Sequence, residues 1–184
     1  MKGLEIEAKI PAADLSAVEM RLKQAGAVHV MLCSFERNWR FDAEDGRLTA
    51  AHQVLRLRSC GGKTILTWKG PGGNSTNLAR REEIETELAD FDSALEILSH
   101  LGYRIKFYYE KYRSEYRWAG TEIMLDHTPI GDFVEIEGEN EEQIRRTAVF
   151  LGLDYVRSVS HSYQKLFSDW KKSHVFSGEF MSFS

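Results

Sequence analysis

The sequence predicts an α+β domain built on an antiparallel sheet large enough to curl or close on itself. Three observations predict it. Segments that alternate with the two-residue period of a strand outnumber those with helical spacing. Short turns join many of the strands, the connection that antiparallel neighbours allow. The helical segments each stop at a glycine, Gly26, Gly102 and Gly152, and lead straight into another strand-like stretch. The 184 residues, 42% hydrophobic and 28% charged, suit one domain with a sizeable core and exclude a disordered chain.

Taken along the chain, strands are expected over 4–10, 54–59, 63–69, 81–88, 103–109, 111–118, 121–126 and 133–138. Helices are expected over 14–25, 92–101 and 141–151. The first carries Leu15, Val18, Leu22 and Ala25 on one stripe; the second carries Leu95, Leu98 and Leu101; the third carries Ile144, Ala148 and Leu151, with Asn140 as its N-cap. The stretch Lys69-Gly70-Pro71-Gly72-Gly73-Asn74, continuing in polar residues to Ala79, reads as a flexible turn; it lacks the Lys-Ser/Thr of a phosphate-binding P-loop. No linker divides the chain, so a single domain is expected over 1–167, followed by a tail over 168–184 that forms an extra helix or a loosely held end. Phe35, Trp39, Phe107 and Tyr109 are assigned to the core or its rim.

Charge balance excludes other classes. With 24 basic and 28 acidic residues the formal charge is −4, against a basic nucleic-acid-binding surface. No apolar run approaches the roughly 20 residues of a membrane span, and no signal-peptide pattern opens the sequence, so a cytoplasmic location is expected. Cys33 and Cys60 are too few for a disulfide framework or a thiolate cluster, and the six histidines have no metal-ligand spacing.

The informative feature is the kind of residue on the polar strand faces. Glu5, Glu7 and Lys9 share one face; so do Arg56 and Arg58, then Arg81, Glu83 and Glu85, then Lys111 and Arg113, then Glu135 and Glu137. One such run is ordinarily a solvated face. Repeated, with the apolar faces turned outward against helices, these runs converge on the inside of a barrel, and about 8 strands leave room there for side chains and one small ligand. Buried unpaired cations are costly, so such an interior calls for a polyanion. Guanidinium forks match phosphate oxygens in pairs, and carboxylates two residues apart suit a hard divalent cation that also bridges phosphates.

In order, Glu5-Ile6-Glu7-Ala8-Lys9, Leu55-Arg56-Leu57-Arg58, Trp68-Lys69-Gly70, Arg81-Glu82-Glu83-Ile84-Glu85, Lys111-Tyr112-Arg113, Leu125-Asp126, Gly131-Asp132-Phe133-Val134-Glu135-Ile136-Glu137 and Ser162-Tyr163 resemble the motifs of the CYTH, or triphosphate tunnel metalloenzyme, family over residues 1–167. Within it the class IV adenylate cyclase-like branch, which also holds triphosphatases, is the most similar. The resemblance implies a closed eight-stranded antiparallel barrel with helices packed outside, and a tunnel that binds triphosphate with Mg²⁺ or Mn²⁺. By position, Lys9, Arg56, Arg58, Lys69, Arg81, Lys111 and Arg113 would contact phosphates. Glu5, Glu7, Glu135 and Glu137, with Asp126, would hold metal. Lys69, Lys111 and Glu83 are the candidate catalytic groups, the general base being left open; Glu83 and Glu85 would otherwise orient water, hold a second metal or pair with arginines.

The implied substrates are ATP, cyclised to cyclic AMP and pyrophosphate, or tripolyphosphate or thiamine triphosphate, hydrolysed to phosphate. A non-catalytic polyphosphate or nucleotide sensor is the alternative from another class. Among nucleic acids only a 5′-triphosphate RNA end fits. No membrane partner is expected, and monomer and homodimer are both compatible with the sequence.

Overall fold

In a computed structural model, residues 2–74 and 78–183 are described. The strands are β1 (Lys2–Ala12), β2 (Val28–Ala43), β3 (Val54–Cys60), β4 (Lys63–Lys69), β5 (Gly73–Asn74), β6 (Ala79–Leu88), β7 (Tyr103–Trp118), β8 (Thr121–Thr128) and β9 (Gly131–Glu137). The helices are α1 (Leu15–Gln24), α2 (Arg47–Ala50), α3 (Phe91–His100), α4 (Glu141–Phe150) and α5 (Tyr163–Trp170). Every paired neighbour is antiparallel in the order β1-β9-β8-β7-β2-β3-β4-β6, and a further β1–β6 pairing closes the ring into an eight-stranded barrel. The two-residue β5 adds to β6 beyond the end of β4, with Gly73 opposite Arg80 and Lys69 opposite Glu83. Ser75, Thr76 and Asn77, part of the polar stretch expected to be flexible, lie outside the described residues.

Three of the helices, α1, α3 and α4, begin where a short polar side chain takes over an orphan backbone N–H. Asp14 accepts from Ala17, Asp90 from Ser93 and, as expected, Asn140 from Gln143. Each of those helices ends through a glycine with positive φ, +71° at Gly26, +87° at Gly102 and +71° at Gly152, the left-handed region that admits glycine cheaply. At Gly152 there is a second reason: an added Cβ would strike the Arg21 guanidinium, which donates to the Leu151 carbonyl.

The apolar strand faces point outward, as the alternation requires. Ile6, Ala8, Ile10, Ile123, Leu125, Val134 and Ile136 pack against Val18 and Leu22 of α1 and Ile144 and Ala148 of α4. Phe41 and Leu57 pack against Ala94 and Leu98 of α3. A third cluster joins Phe107, Tyr109 and Phe133 to Tyr163 and Phe167 of α5 and to Met181. The first two clusters form a shell between barrel and helices, whereas Phe107, Tyr109 and Phe133 share the inward face with Lys111, Arg113, Glu135 and Glu137, so the third cluster fills one end of an otherwise charged interior.

Several expectations are corrected. The segments 103–109 and 111–118 are one continuous strand, β7. The strand β2 was not expected, because Phe35, Trp39 and Phe41 stand among Glu36, Arg37, Asn38 and Arg40 without a clean apolar face; it pairs with both β3 and β7. The C-terminal helix starts at Tyr163, five residues before the expected tail, and Met181 then bridges back to Tyr109 of β7. Among the described residues no helix is long and apolar enough to cross a membrane.

Candidate active site

The inward positions follow from the register. Arg40 stands opposite Arg56, Asn38 opposite Arg58 and Tyr109, Lys111 opposite Glu36, Glu7 opposite Glu137, Lys9 opposite Glu135, Lys69 opposite Glu83, and Glu5 opposite Arg81. Apart from Glu36 and Asn38, these side chains surround one cavity of about 250 Å³, near the lower end of small-ligand sites (about 300–1,000 Å³) and suited to a compact ligand. It brings together Lys9, Arg56, Arg58, Lys69, Arg81, Lys111 and Arg113 with Glu5, Glu7, Glu83, Glu85, Glu135 and Glu137.

Asp126 is the exception. It is fully buried behind the cavity wall, where Oδ2 accepts from Lys111 Nζ at 2.9 Å and Tyr163 Oη at 2.6 Å, and both oxygens accept from Arg113. Its lone pairs are committed to three fixed donors, so in this arrangement it sets the positions of the cations that face the cavity.

The ion pairs divide the interior into a neutralised centre and unmatched flanks. Lys9 Nζ lies 3.0 Å from Glu135, and Arg113 also pairs with Glu135. Lys69 Nζ meets Glu5 at 2.7 Å and Glu83 at 3.2 Å. Glu85 serves both Arg56 at 3.3 Å and Arg58 at 3.5 Å. Burial alone would raise Glu135, but Arg113, Lys9 and Lys111 outweigh it and hold the carboxylate well below its usual range. Burial likewise opposes charge on Lys69, yet Glu5, Glu7 and Glu83 push its pKa up, so Lys69 stays protonated at neutral pH.

At one flank the carboxylates lack cations. Glu7 has only Lys9 at 3.9 Å, and Glu137, directly opposite it, has no basic partner among the described residues. Burial first, then repulsion from Glu5, Glu7, Glu122 and Glu83, pushes Glu137 up to about 8. Burial also raises Glu5 and Glu7. Oxygen donors crowded this way, short of positive charge, match the chemistry of a hard divalent cation. Among the described residues, no three Asp, Glu, His or Cys side chains are already grouped as a metal cage, since Glu5 and Glu135 are tied to lysine and arginine.

Sequence reasoning missed Glu36, Asn38 and Arg40, all on the unrecognised strand β2. The signal was present as Glu-x-Asn-x-Arg, the same alternation seen elsewhere, but the interleaved aromatics hid it. Glu36 is 1% exposed between Lys111 and Arg58, at 3.6 and 3.5 Å. Burial opposes its charge, but Lys111, Arg113, Arg58 and Arg56 together bring its pKa down to about 2. The fully buried Asn38 carboxamide, Glu36 Oε2 and the Nε atoms of Arg56 and Arg58 have no hydrogen-bond partner among the described residues; Arg56 and Arg58 line the cavity, whereas Glu36 and Asn38 lie beneath its lining. Tyr109 and Tyr163, aromatic on one side of the cavity, complete the set: Lys9 and Lys111 lie 4.7 and 5.2 Å from the Tyr163 ring centre.

An antiparallel barrel with its apolar faces outside and paired and unpaired charges inside is a binding tunnel for a multiply charged ligand. The profile of the CYTH domain matches residues 3–150, and the chain belongs to that family. A protein of Methanocaldococcus jannaschii named as a candidate adenylate cyclase is 27% identical over 135 residues, which are 73% of this chain and 76% of that protein. Among solved structures, a candidate adenylate cyclase from Vibrio parahaemolyticus superposes with a TM-score of 0.77 at 22% identity, covering 90% of this chain and 98% of that one. A Hippeastrum protein, named as a candidate adenylyl cyclase and described as having a dominant triphosphatase activity, superposes with a TM-score of 0.63 at 19% identity, covering 94% and 97%.

Proposed function

We propose that this protein is a divalent-metal-dependent enzyme that acts on a triphosphate held in the barrel, with cyclisation of ATP to cyclic AMP and pyrophosphate as the leading reaction. One observation carries the reading: cations from β1, β3, β4, β6 and β7 and unneutralised carboxylates from β1 and β9 share a single cavity. Successive phosphate groups supply the negative charge that the cations call for. A cation between Glu7 and Glu137 supplies the positive charge that the carboxylates lack.

A bound Mg²⁺ or Mn²⁺ would supply neutralisation of the charge on the phosphates. Glu7 and Glu137 would hold it, with Glu5 and Glu135 on the same two strands as further candidate ligands. Lys9, Arg56, Arg58, Lys69, Arg81, Lys111 and Arg113 would bind phosphate oxygens, with Lys111 and Arg113 oriented by Asp126. Lys69, held protonated by Glu5 and Glu83, suits stabilisation of a developing negative charge better than proton abstraction. In cyclisation the 3′-hydroxyl attacks the α-phosphorus and pyrophosphate leaves. The names of the Methanocaldococcus and Vibrio relatives support this reaction.

A second reading, hydrolysis of a triphosphate by water attacking the terminal phosphorus, is favoured by a specific observation. The cavity lining is mostly charged, and its apolar surface is limited to Val54, Met124 and the rings of Tyr109 and Tyr163, which is little for an adenine ring. The activity described for the Hippeastrum protein supports it as well. Incubation of the purified protein with Mg²⁺ or Mn²⁺ and ATP, tripolyphosphate or thiamine triphosphate, with products resolved chromatographically, decides between the two. Cyclic AMP with pyrophosphate establishes the cyclase; inorganic phosphate establishes the hydrolase. Tight metal-dependent binding with no product from any substrate would instead make the barrel a sensor.

A further inference from the structure

Arg40 points into the same cavity as the other cations, yet no motif singled it out and the neutralised centre does not account for it. It is the direct cross-strand partner of Arg56 on the inward face of β2 and β3. Two like charges directly opposite one another on a sheet are destabilising. The carboxylates nearby relieve Arg56 but not Arg40. Glu85 is already shared by Arg56 and Arg58. Asp42 is spent on the backbone of Ala43, Leu48 and Thr49 and on the Thr49 hydroxyl. Among the described residues, Arg40 itself has no carboxylate within ion-pair distance; its one side-chain contact is a 3.4 Å hydrogen bond from Nη1 to the Ser162 hydroxyl.

The local backbone aims this arginine deliberately. The register of β2 on β7 slips between Arg40 and Phe41, a bulge of the sort that redirects a side chain next to a site. Ser162 caps α5, and Ser160, Ser162 and Gln164 line the cavity beside Arg40, Arg56 and Arg81. Burial, with Arg56 and Arg81 acting in the same direction, lowers the Arg40 pKa from its ordinary value, and Tyr109 and Asp42 offset this only in part. A guanidinium without a carboxylate, set opposite Arg56 and beside hydroxyl groups, is chemically complementary to a terminal phosphate, which carries more charge than a bridging one and can take forked donors from several arginines.

We infer that Arg40, together with Arg56, Arg81 and Ser162, forms a terminal-phosphate subsite where the tunnel meets the start of α5, and that Arg40 makes the protein prefer ligands with a free phosphate at that end. This rests on the proposed reading of the tunnel as a polyphosphate site. It adds a specificity residue at which the chain, and not the shared motifs, determines the ligand.

The test uses Arg40→Gln and Arg40→Lys in the full chain, with inorganic tripolyphosphate and adenosine 5′-triphosphate as calorimetric probes and thermal unfolding of the ligand-free proteins alongside. The expected result has three parts. Ligand-free Arg40→Gln unfolds at or above the wild-type temperature, because a like-charge contact is gone. Its tripolyphosphate affinity falls by at least about tenfold, the scale of one charge-assisted hydrogen bond, with partial recovery in Arg40→Lys. The nucleotide, whose terminal phosphate is equally free, loses affinity by a similar factor. A smaller loss of affinity for either probe, or a ligand-free variant that unfolds several degrees lower, would overturn the subsite. If the wild-type protein itself fails to bind tripolyphosphate with or without Mg²⁺, the polyphosphate reading of the tunnel is what fails.

Discussion

Glu137 turns the electrostatics of the acidic flank into a measurable pH effect. Its folded-state pKa of about 8 lies above the ordinary carboxylate value of 4.5, so the fold binds that proton more tightly than the unfolded chain does. Stability is therefore lost as pH rises from the ordinary carboxylate range through about 8. Glu137→Gln should unfold at nearly the wild-type temperature at pH 5 and at a higher one at pH 8.5; Mg²⁺ at pH 8.5 should close that gap by stabilising the wild type. An equal gap at both pH values would refute the assignment of repulsion to this residue. Lys111 makes the opposite case, since it is 1% exposed and ties Asp126 to Glu36. Lys111→Ala takes one cation from each of two buried carboxylates, leaving Asp126 with Arg113 and Tyr163 and Glu36 with Arg58, and chemical denaturation should register a loss of about 1–3 kcal/mol in addition to any loss of ligand. A binding defect in that variant has to be read against its stability, whereas one in Arg40→Gln does not.

At the scale of elements, α5 and the segment after it wedge a tyrosine into the barrel wall. Tyr163 donates to Asp126 at 2.6 Å, and burial first, then Asp126 and Glu135, keeps its hydroxyl protonated. Tyr163→Phe should lower unfolding free energy by about 1–3 kcal/mol, the range for a buried hydrogen bond to a charged group, and should weaken turnover through Lys111 and Arg113. Met181 is fully buried against β7, where its amide and carbonyl bond to Tyr108 and Glu110. Met181→Ala should cost about 2–5 kcal/mol by calorimetry, as core truncations do; a loss near zero would mean that this segment is not part of the core. Neither role was visible in the sequence, where the residues after Ser168 alternate Ser, Phe and Gly without a period. The legible elements were those with one clean apolar face, such as Ile6, Ala8 and Ile10 opposite Glu5, Glu7 and Lys9. Strand β2 was illegible because its outward face is built from Arg37, Trp39 and Phe41, so periodicity broke where the site gained Glu36, Asn38 and Arg40. Caps were legible because Asn140 and the glycines act within one turn, whereas which arginine finds which glutamate depends on pairings across the barrel.

For the whole molecule, the net charge of −4 conceals an interior whose charges are sorted by position. If, as proposed, a polyanion takes the Arg40 flank and a cation the Glu137 flank, the two ligands should bind with positive coupling: each lowers the repulsion that the other meets. Titrating tripolyphosphate at rising Mg²⁺ should show affinity increasing and then levelling off, and rising monovalent salt should weaken it. Metal-independent affinity would place the Glu7–Glu137 pair outside the ligand site. On the exterior, pairs such as Lys165–Asp169 and Arg146–Glu142 are exposed and locally matched.

The β1–β6 and β1–β9 seams also bear on how the chain is made. Glu7 cannot meet Glu137 until nearly the entire barrel sequence has left the ribosome, although β1 is synthesised first. Through most of translation β1 therefore waits with at least one unpaired edge, and closure of the ring depends on contacts between distant parts of the chain, the arrangement associated with folding in milliseconds to seconds. The alternating Glu5, Glu7 and Lys9 that serve the finished tunnel would, in that interval, be the charges that keep a waiting strand from pairing with its neighbours on the polysome.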